Sequence, residues 1–148
     1  MNKLGDLSCN EFLTELASAA PAPGGGGGAA MAGALAAALA SMVANLTIGK
    51  EKFADREPEV KELLEQAEAE RVRLLTLVDE DAAVFNSFMS CYKLPKTTDE
   101  EKAARTAAIR AAAKQAATVP LNIARSSFAV LKLADRLVVS GNPGVITD

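Results

Sequence analysis

Apolar residues recur along much of the chain at the spacing of a helix face. Ser8 and Glu11 form a capping-box pattern, which predicts a short first helix of about three turns. An uncharged stretch at 29–48 predicts a second helix that is apolar on all sides and ends near Gly49. We expect a helix of this kind in the middle of a bundle or in a subunit interface.

The longest apolar stripe follows Pro58 and predicts a third helix from about residue 58 to residue 92. The stripe consists of Val60, Leu63, Leu64, Ala67, Leu74, Leu75, Val78, Ala82, Phe85, Phe88 and Met89. At about 1.5 Å per residue, this helix would be roughly 50 Å long. That length exceeds what a compact monomer of 148 residues needs, so we expect the helix to pack against a partner chain.

Two further helices complete the predicted fold. Thr98 and Glu101 form a second capping box, and an Ala-rich helix follows it to about Thr118. Pro120 then kinks or breaks the chain, and a final apolar stripe runs to a helix stop at Gly141. No stretch alternates like a half-buried strand. The pattern therefore predicts an all-α helical bundle with a long third helix and a buried, Ala-rich second helix.

Composition narrows the class of protein and of partner. The length of 148 residues suits one domain over 1–148, and 49% hydrophobic residues are ample for a packed core. The formal net charge is −3, from 16 basic and 19 acidic side chains. Nucleic-acid binding requires a basic surface, so we expect a small-molecule partner and no nucleic acid.

Histidine is absent from the sequence. Acid–base chemistry must therefore use Asp, Glu, Lys, Tyr, Cys or the substrate's own atoms. Cys9 and Cys91 lie far apart without Cys-x-x-Cys spacing, and we expect neither a metal site nor a disulfide. Two unpaired thiols are typical of the reducing cytoplasm, which is the predicted location.

The stretch at 29–48 is also long enough to span a membrane. Eight of its 20 residues are alanine, which is only weakly hydrophobic, and Ser41, Asn45 and Thr47 place polar groups toward its end. We therefore favour a buried core helix over a transmembrane span, and we expect no membrane association.

Five consecutive glycines, residues 24–28, precede the second helix. Unpaired N–H groups at a helix start favour a negative group, so Gly24, Gly25 and Gly26 are candidates to bind an anion or a ring. The run is not a P-loop, since no Gly-Lys-Ser/Thr follows, and not a Rossmann turn, since a helix precedes it. The alternative is a flexible connection between closely crossing helices, and the residues alone leave both interpretations open.

Polar residues at the end of the second helix form another candidate binding region. Asn45 and Thr47 interrupt an otherwise apolar helix, and buried polar groups need partners, of which a ligand is one. Lys50 is close enough in sequence to reach the same region. The alternative is ordinary helix-end chemistry, in which a cation lies near the last carbonyl groups.

Two carboxylates are candidates for acid–base chemistry. Asp81 shares a helix face with Val78 and Phe85, and a carboxylate on an apolar stripe is suited to serve as acid or base. The alternative for Asp81 is a solvated charge run with its two acidic neighbours. Asp148 lies in a polar loop at the end of the sequence, and its alternative is a frayed chain end.

Seven short segments, spread over nearly the whole chain, carry a family pattern. They are Asn10–Leu13, Pro21–Gly26, Met42–Lys50, Asp81 with Phe85, Leu94–Lys96, Val119–Leu121, and Gly141–Pro143 leading to Asp148. On these segments the chain resembles the cyclodeaminase/cyclohydrolase family of folate one-carbon metabolism, which includes the C-terminal domain of formiminotransferase-cyclodeaminase. Gly27 and Gly28 depart from the family's usual Ser and branched residue. The family also continues beyond the Asp that matches Asp148, so we expect the domain to lack its last helix or helices.

The resemblance implies an all-helical homodimer with a folate site near the Gly turn. The family's reactions hydrolyse 5,10-methenyl-tetrahydrofolate to formyl-tetrahydrofolate, or cyclise 5-formimino-tetrahydrofolate with loss of ammonia. The substrate is then a tetrahydrofolate derivative, and no metal is expected, because an amidinium carbon is already electrophilic. The short chain leaves no room for a fused transferase domain, which favours a stand-alone cyclohydrolase.

We therefore predict a folate one-carbon enzyme of this kind. The predicted catalytic groups are Asp81, Asp148 and Lys50, and the predicted substrate-binding residues are Gly24, Gly25, Gly26, Asn45 and Thr47. The alternative is a non-catalytic helical module for folate binding or oligomerisation.

Overall fold

The computed structural model describes residues 3–145, and the regular elements in that range are all helices. The α-helices are α1 (Cys9–Leu16), α2 (Gly25–Asn45), α3 (Glu57–Cys91), α4 (Asp99–Ala116) and α5 (Thr118–Ser140). Short 3-10 helices lie at Leu4–Asp6, Glu51–Phe53 and Pro143–Val145. The predicted all-α class is therefore confirmed.

The chain divides into two compact units. Among the described residues, unit 1 comprises 3–29 and 76–123, and unit 2 comprises 30–75 and 124–145. Unit 1 holds α1, α4 and the second part of α3. Unit 2 holds most of α2, the first part of α3 and most of α5. The single domain expected over residues 1–148 stays a prediction.

Both predicted capping boxes are present. The Ser8 hydroxyl accepts a hydrogen bond from the Glu11 amide at 3.3 Å, and the Glu11 carboxylate accepts one from the Ser8 amide at 2.9 Å. Hydrogen bonds from the Ser8 hydroxyl and amide lower the pKa of Glu11. Thr98 and Glu101 repeat this arrangement at the start of α4. These local caps explain why the starts of α1 and α4 are readable from sequence.

The predicted long third helix is also confirmed. α3 has 35 residues, and its bounds at Glu57 and Cys91 each lie one residue before the predicted ones. α4 ends at Ala116, and Pro120 lies in the first turn of α5. Amides in the first turn of a helix have no partner within that helix, so the missing N–H of Pro120 costs no helix hydrogen bond there. Pro120 therefore fits the first turn of α5, directly after the break between α4 and α5.

The predicted bounds of the second helix, about 29 to 48, need correction. α2 begins at Gly25 and ends at Asn45. Four glycines form its first turn, although glycine is a poor helix former. After Asn45 the chain makes a turn in which Gly49 has a φ of +76°, a left-handed conformation that glycine adopts without strain. Contacts outside the helix must therefore stabilise its glycine start. The hydrogen bond from the Gly27 amide to Asp81 of α3 is such a contact.

α2 is buried along its alanine face. Ala34, Ala37, Ala40 and Ala44 are all buried in unit 2. Ala40 and Ala44 belong to a core cluster with Val60, Leu63, Ala67, Leu133 and Leu137. The opposite face carries Leu35, Leu39 and Met42, of which Leu35 remains 57% exposed. The helix is therefore buried in this chain along one face, and a second apolar face is left uncovered.

By length and composition alone, α2 is the one helix among the described residues that could cross a membrane. Half of the residues in its most apolar window are buried inside the structure. Such burial is what a core helix of a globular protein shows, because its apolar residues contact other helices.

Thr47 fastens the loop after α5 to the end of α2 in unit 2. Its buried hydroxyl donates to the Val43 carbonyl at 2.7 Å and accepts from the Asn142 amide at 2.9 Å. The Asn142 side chain donates to the Leu46 carbonyl at 3.3 Å. These bonds satisfy carbonyl groups that the end of a helix leaves unpaired.

A charged contact joins α3 to α5 in the same unit. Glu59 accepts hydrogen bonds from Arg136 at 2.8 Å and from Ser140 at 2.9 Å. These bonds, that from Arg136 foremost, lower the pKa of Glu59 in the folded state. A lowered carboxylate pKa contributes stability above the unfolded-state pKa and loses it as the pH falls through the folded-state pKa. Solvent screens this contact, so the contribution is small.

We predict that Thr47→Val destabilises the protein by about 1–3 kcal/mol, because the half-buried Asn142 amide loses its acceptor. Urea unfolding measures the change in the free energy of unfolding. Thr106→Val is the matched control, since Thr106 also bonds to a carbonyl four residues earlier but is exposed. We expect the control to change stability by less than about 0.5 kcal/mol. Equal effects of the two substitutions would contradict the role given to Asn142.

Candidate active site

The start of α2 consists of glycine alone and has no capping side chain of its own. The chain enters it through a cis peptide bond between Ala22 and Pro23. The Gly28 amide donates to the Gly24 carbonyl at 2.9 Å, which makes Gly24 the N-cap residue. Residues 25–27 then present amides without partners inside the helix. A cap for this turn has to come from another part of the chain.

Asp81 of α3 supplies that cap. Its Oδ2 accepts a hydrogen bond at 3.0 Å from the amide of Gly27, which lies 54 positions earlier in the chain. This is the bond that an N-cap Ser or Asp side chain accepts from the third residue of its own helix. The helix dipole also favours a carboxylate at this end. Within residues 3–145, Gly27 is the one hydrogen-bond donor to Asp81, and Oδ1 accepts no hydrogen bond.

Asp81 and the glycine turn form one wall of a cavity in unit 1. Its volume of about 320 Å³ lies at the lower end of the range for small-molecule sites, roughly 300–1,000 Å³. The lining comprises Pro21, Ala22, Gly24, Gly25, Gly26, Asp81, Ala82, Val84, Phe85, Phe88, Ala116 and Pro120. Asp81 is the one ionisable side chain among these. A charge in apolar surroundings is screened less than a charge in water and acts more strongly on a bound ligand.

Aromatic rings of α3 form a second wall of the cavity. Phe85 and Phe88 lie four and seven residues after Asp81, so the three side chains share one face of the helix. Phe88 packs edge-on against Tyr92, with ring centroids 5.3 Å apart. The Arg105 guanidinium lies over the Tyr92 ring at 5.4 Å from its centroid. A flat ring system can stack on aromatic side chains of this kind.

The sequence pattern of formiminotransferase-cyclodeaminases matches residues 8–148. The chain belongs to this family. It is 48% identical over 144 residues to a methenyltetrahydrofolate cyclohydrolase of Methylorubrum extorquens, a match that covers 97% of this chain and 69% of the relative. It is 36% identical over 143 residues to the formimidoyltransferase-cyclodeaminase of Rattus norvegicus, with 97% and 26% covered.

The fold agrees with a solved member of the formiminotransferase-cyclodeaminase family. The crystal structure of formiminotetrahydrofolate cyclodeaminase from Thermotoga maritima superposes with a TM-score of 0.83 at 33% sequence identity. The match covers 97% of this chain and 67% of that one. The chain thus spans about two thirds of the length of the single-activity relatives and about a quarter of the rat protein.

Four of the residues predicted for a family site come together in the structure. Gly24, Gly25, Gly26 and Asp81 all line the same cavity. The neighbouring Gly27 amide is already occupied by Asp81. At the start of α2 the cavity wall therefore contains the Asp81 carboxylate of α3 together with Gly25 and Gly26, whereas the sequence predicted glycine amides alone at this place.

The other four predicted site residues are not among those that line this cavity. Asn45, Thr47 and Lys50 belong to unit 2 and do not line the cavity of unit 1. Asn45 and Lys50 are exposed, whereas the Thr47 hydroxyl is used in the contacts with Val43 and Asn142. Asp148 lies outside the described residues. The roles proposed for these four residues stay predictions.

Eight of the lining residues were not predicted as site residues from the sequence, among them Phe88, Ala116 and Pro120. Phe88 continues the face of Asp81 at the seventh residue, which is a signal that helix periodicity offers. Ala116 and Pro120 come from the end of α4 and the start of α5. Pro120 belongs to the family segment Val119–Leu121, but tertiary packing, and no local pattern, brings these two residues to the cavity.

We predict that Asp81→Ala lowers the free energy of unfolding by about 0.5–2 kcal/mol, the usual cost of removing a helix N-cap. Asp81→Asn should cost less, because its amide oxygen still accepts from Gly27. Both are measured by urea unfolding, with Glu80→Ala as the control at the exposed neighbouring carboxylate. An Asp81→Ala protein as stable as the Glu80→Ala control would show that Asp81 does not cap α2.

Proposed function

We propose that this protein hydrolyses 5,10-methenyl-tetrahydrofolate to formyl-tetrahydrofolate in the cavity of unit 1. It is a folate one-carbon enzyme by family, and its 48% identity is to a relative named for this hydrolysis. The observation that carries the proposal is the Asp81 carboxylate, held by the Gly27 amide in the wall of an otherwise apolar cavity.

The charge of the substrate fits this cavity. The methenyl bridge of the substrate is an amidinium cation, and the lining offers one negative side chain to it. Since apolar surroundings weaken screening, Asp81 attracts the cation more strongly than a carboxylate in water would. The aromatic rings of Phe85 and Phe88 provide surface for the flat ring system.

The chemistry requires proton transfers and one water molecule. Water adds to the bridge carbon and gives up a proton, which forms a tetrahedral carbinolamine. The bond from this carbon to one nitrogen then breaks as that nitrogen takes a proton, while the hydroxyl group releases its proton to solvent and becomes the formyl oxygen on the other nitrogen's carbon. In total, one water is consumed and one proton is released. We assign Asp81 Oδ1 the role of accepting the proton from water and returning one to the leaving nitrogen.

The amides of Gly25 and Gly26 are assigned to a carbonyl group of the ligand's ring. A ligand carboxylate at the same position would face the Asp81 carboxylate, and like charges at short range repel each other. The ring carbonyl carries only partial charge, so it can accept these hydrogen bonds beside Asp81. Lys50 and Asp148 stay further proposed catalytic groups, and Asn45 and Thr47 stay proposed binding residues.

Cyclisation of 5-formimino-tetrahydrofolate with loss of ammonia is the second candidate activity. Two relatives that are named as cyclodeaminases favour this reaction: the Thermotoga maritima protein, which is 33% identical, and the rat protein, which is 36% identical. Its tetrahedral carbon is bonded to two folate nitrogens and to the nitrogen that leaves as ammonia, and the same carboxylate would deliver the proton to this leaving nitrogen. A non-catalytic folate-binding module is the remaining alternative, and it predicts binding without turnover.

We also propose that the protein is a cytoplasmic homodimer assembled through unit 2. The exposed side of α2 joins part of α5 in a groove of about 200 Å³, lined by Ala36, Leu39, Ala40, Val43, Ala134, Leu137 and Val138. No charged side chain lines this groove. Soluble monomers seldom leave such apolar surface uncovered, and a twofold dimer covers the same patch on both copies.

We predict that Asp81→Asn lowers kcat for methenyl-tetrahydrofolate by about 10²–10⁴-fold, the usual contribution of a general acid–base group. Loss of the substrate's near-ultraviolet absorbance measures the rate. Glu80→Gln, at the exposed acidic neighbour, should keep the parent rate. An Asp81→Asn enzyme that works at the parent rate removes Asp81 from the mechanism. If the unchanged protein binds the substrate without turnover, the non-catalytic module is correct.

We predict that Leu39→Glu weakens self-association by at least about 10²-fold, because an unpaired carboxylate would be buried in the interface. Light scattering after size exclusion, over a range of concentrations, measures the mass. Leu39 is 45% exposed in the single chain, so the substitution should leave its fold intact. Leu13→Glu, at an exposed leucine of unit 1, is the control. A parent protein that is monomeric, or a Leu39→Glu dimer of parental affinity, contradicts the proposal.

A further inference from the structure

We propose that Gly26 is a positioning residue for Asp81: the absence of a side chain at Gly26 lets the carboxylate lie on the first turn of α2. The activity part of this inference rests on the proposed function. The positional part rests on the geometry of unit 1 alone, and the two can be tested separately.

The five glycines of the run are not equivalent. A Cβ placed at Gly26 would lie within 2.7 Å of Oδ1, Oδ2 and Cγ of Asp81, whereas real Cβ atoms keep at least 3.0 Å from such neighbours. At Gly24 and Gly25 a Cβ would meet nothing within 4 Å. At Gly27 and Gly28 the nearest atoms would be 3.4 Å away, at the edge of ordinary contact distances. Gly26 is therefore the one member of the run whose side chain would collide with Asp81.

The Asp81 carboxylate cannot accommodate a methyl group at position 26 by a small adjustment. The collision involves Cγ, so the whole carboxylate must move, and aspartate has only two side-chain torsions with which to move it. Rotation about the first torsion carries Oδ2 away from the Gly27 amide. A side chain at position 26 would thus displace the Asp81 carboxylate. α2 would then lose its cap, and Oδ1 would lose its orientation.

The helix itself has no need of glycine at this position. Alanine is a much better helix former than glycine, and residue 26 lies within the first turn of α2. The glycine therefore costs helix propensity, and the space for Asp81 compensates for that cost. A loss of activity in Gly26→Ala would then arise at the carboxylate and not from a weaker helix.

The test compares Gly26→Ala with Gly28→Ala, a matched control at a glycine of the same run that does not line the cavity. We expect Gly26→Ala to lower kcat by about 10²-fold, as displacement of a reacting group by about 1 Å does. The KM should change much less, since the aromatic wall is intact. Gly28→Ala should stay within about 3-fold of the parent in both constants, because its Cβ would meet only the Leu16 side chain at an ordinary contact distance. A Gly26→Ala enzyme as active as Gly28→Ala would overturn the inference.

A double-variant cycle shows whether Gly26 acts through Asp81. In the Asp81→Ala background the methyl group has room, so adding Gly26→Ala should change kcat by less than about 2-fold. A further loss of the full factor in that background would overturn the inference. If Gly26→Ala alone fails to fold, the double variant should fold again, and its failure to do so would equally overturn the inference.

The Gly27 amide gives a readout that does not depend on activity. Its protection against hydrogen exchange, relative to the intrinsic rate for each sequence, should fall in Gly26→Ala and in Asp81→Ala, because both lose the Asp81 acceptor, and should keep the parental value in Gly28→Ala. With this pattern, a parent protein without turnover refutes the proposed function and leaves the positioning intact. Parental protection of the Gly27 amide in Gly26→Ala refutes the positioning, whatever the activity.

Discussion

A helix that begins with glycines has two weaknesses: its backbone loses much entropy on folding, and its first amides lack capping side chains. α2 has both weaknesses. The Asp81 carboxylate of α3 offsets the missing cap by accepting a hydrogen bond from the Gly27 amide. The same bond places a negative charge in the wall of a cavity. The start of α2, the orientation of Asp81 and the shape of the candidate site therefore depend on one interaction.

This arrangement suits the chemistry of the formiminotransferase-cyclodeaminase family. The chain has no histidine, so a carboxylate is a natural choice for proton transfer. A carboxylate fixed through one oxygen has a defined direction for the other oxygen, and little reorganisation is needed during the reaction. The apolar lining strengthens its attraction for a cationic amidinium carbon. In the proposed function, binding of the substrate and its activation thus use the same side chain.

Sequence patterns predicted the features whose causes are local. The capping boxes at Ser8 and Thr98 act within four residues, and the apolar stripe of α3 repeats with the helix period, so the starts of α1 and α4 and both ends of α3 were predicted to within a residue or two. α1 has eight residues and is shorter than the predicted three turns. The start of α2 was misplaced by four residues because its cap is 54 positions away in the chain. The contact of Thr47 with Asn142 is long-range for the same reason. Asp81 could be suspected from its place on an apolar stripe, whereas its bond to Gly27 could not.

The most direct test of the central claim is a crystal structure of the protein with 5-formyl-tetrahydrofolate, a stable relative of the proposed substrate. The account predicts that the ring system lies against Phe85 in the unit 1 cavity. Oδ1 of Asp81 should then lie within hydrogen-bonding distance of the folate's formyl-bearing region, while Oδ2 still accepts from the Gly27 amide. A ligand bound away from the first turn of α2, or an Asp81 carboxylate turned away from Gly27 in the complex, would contradict it.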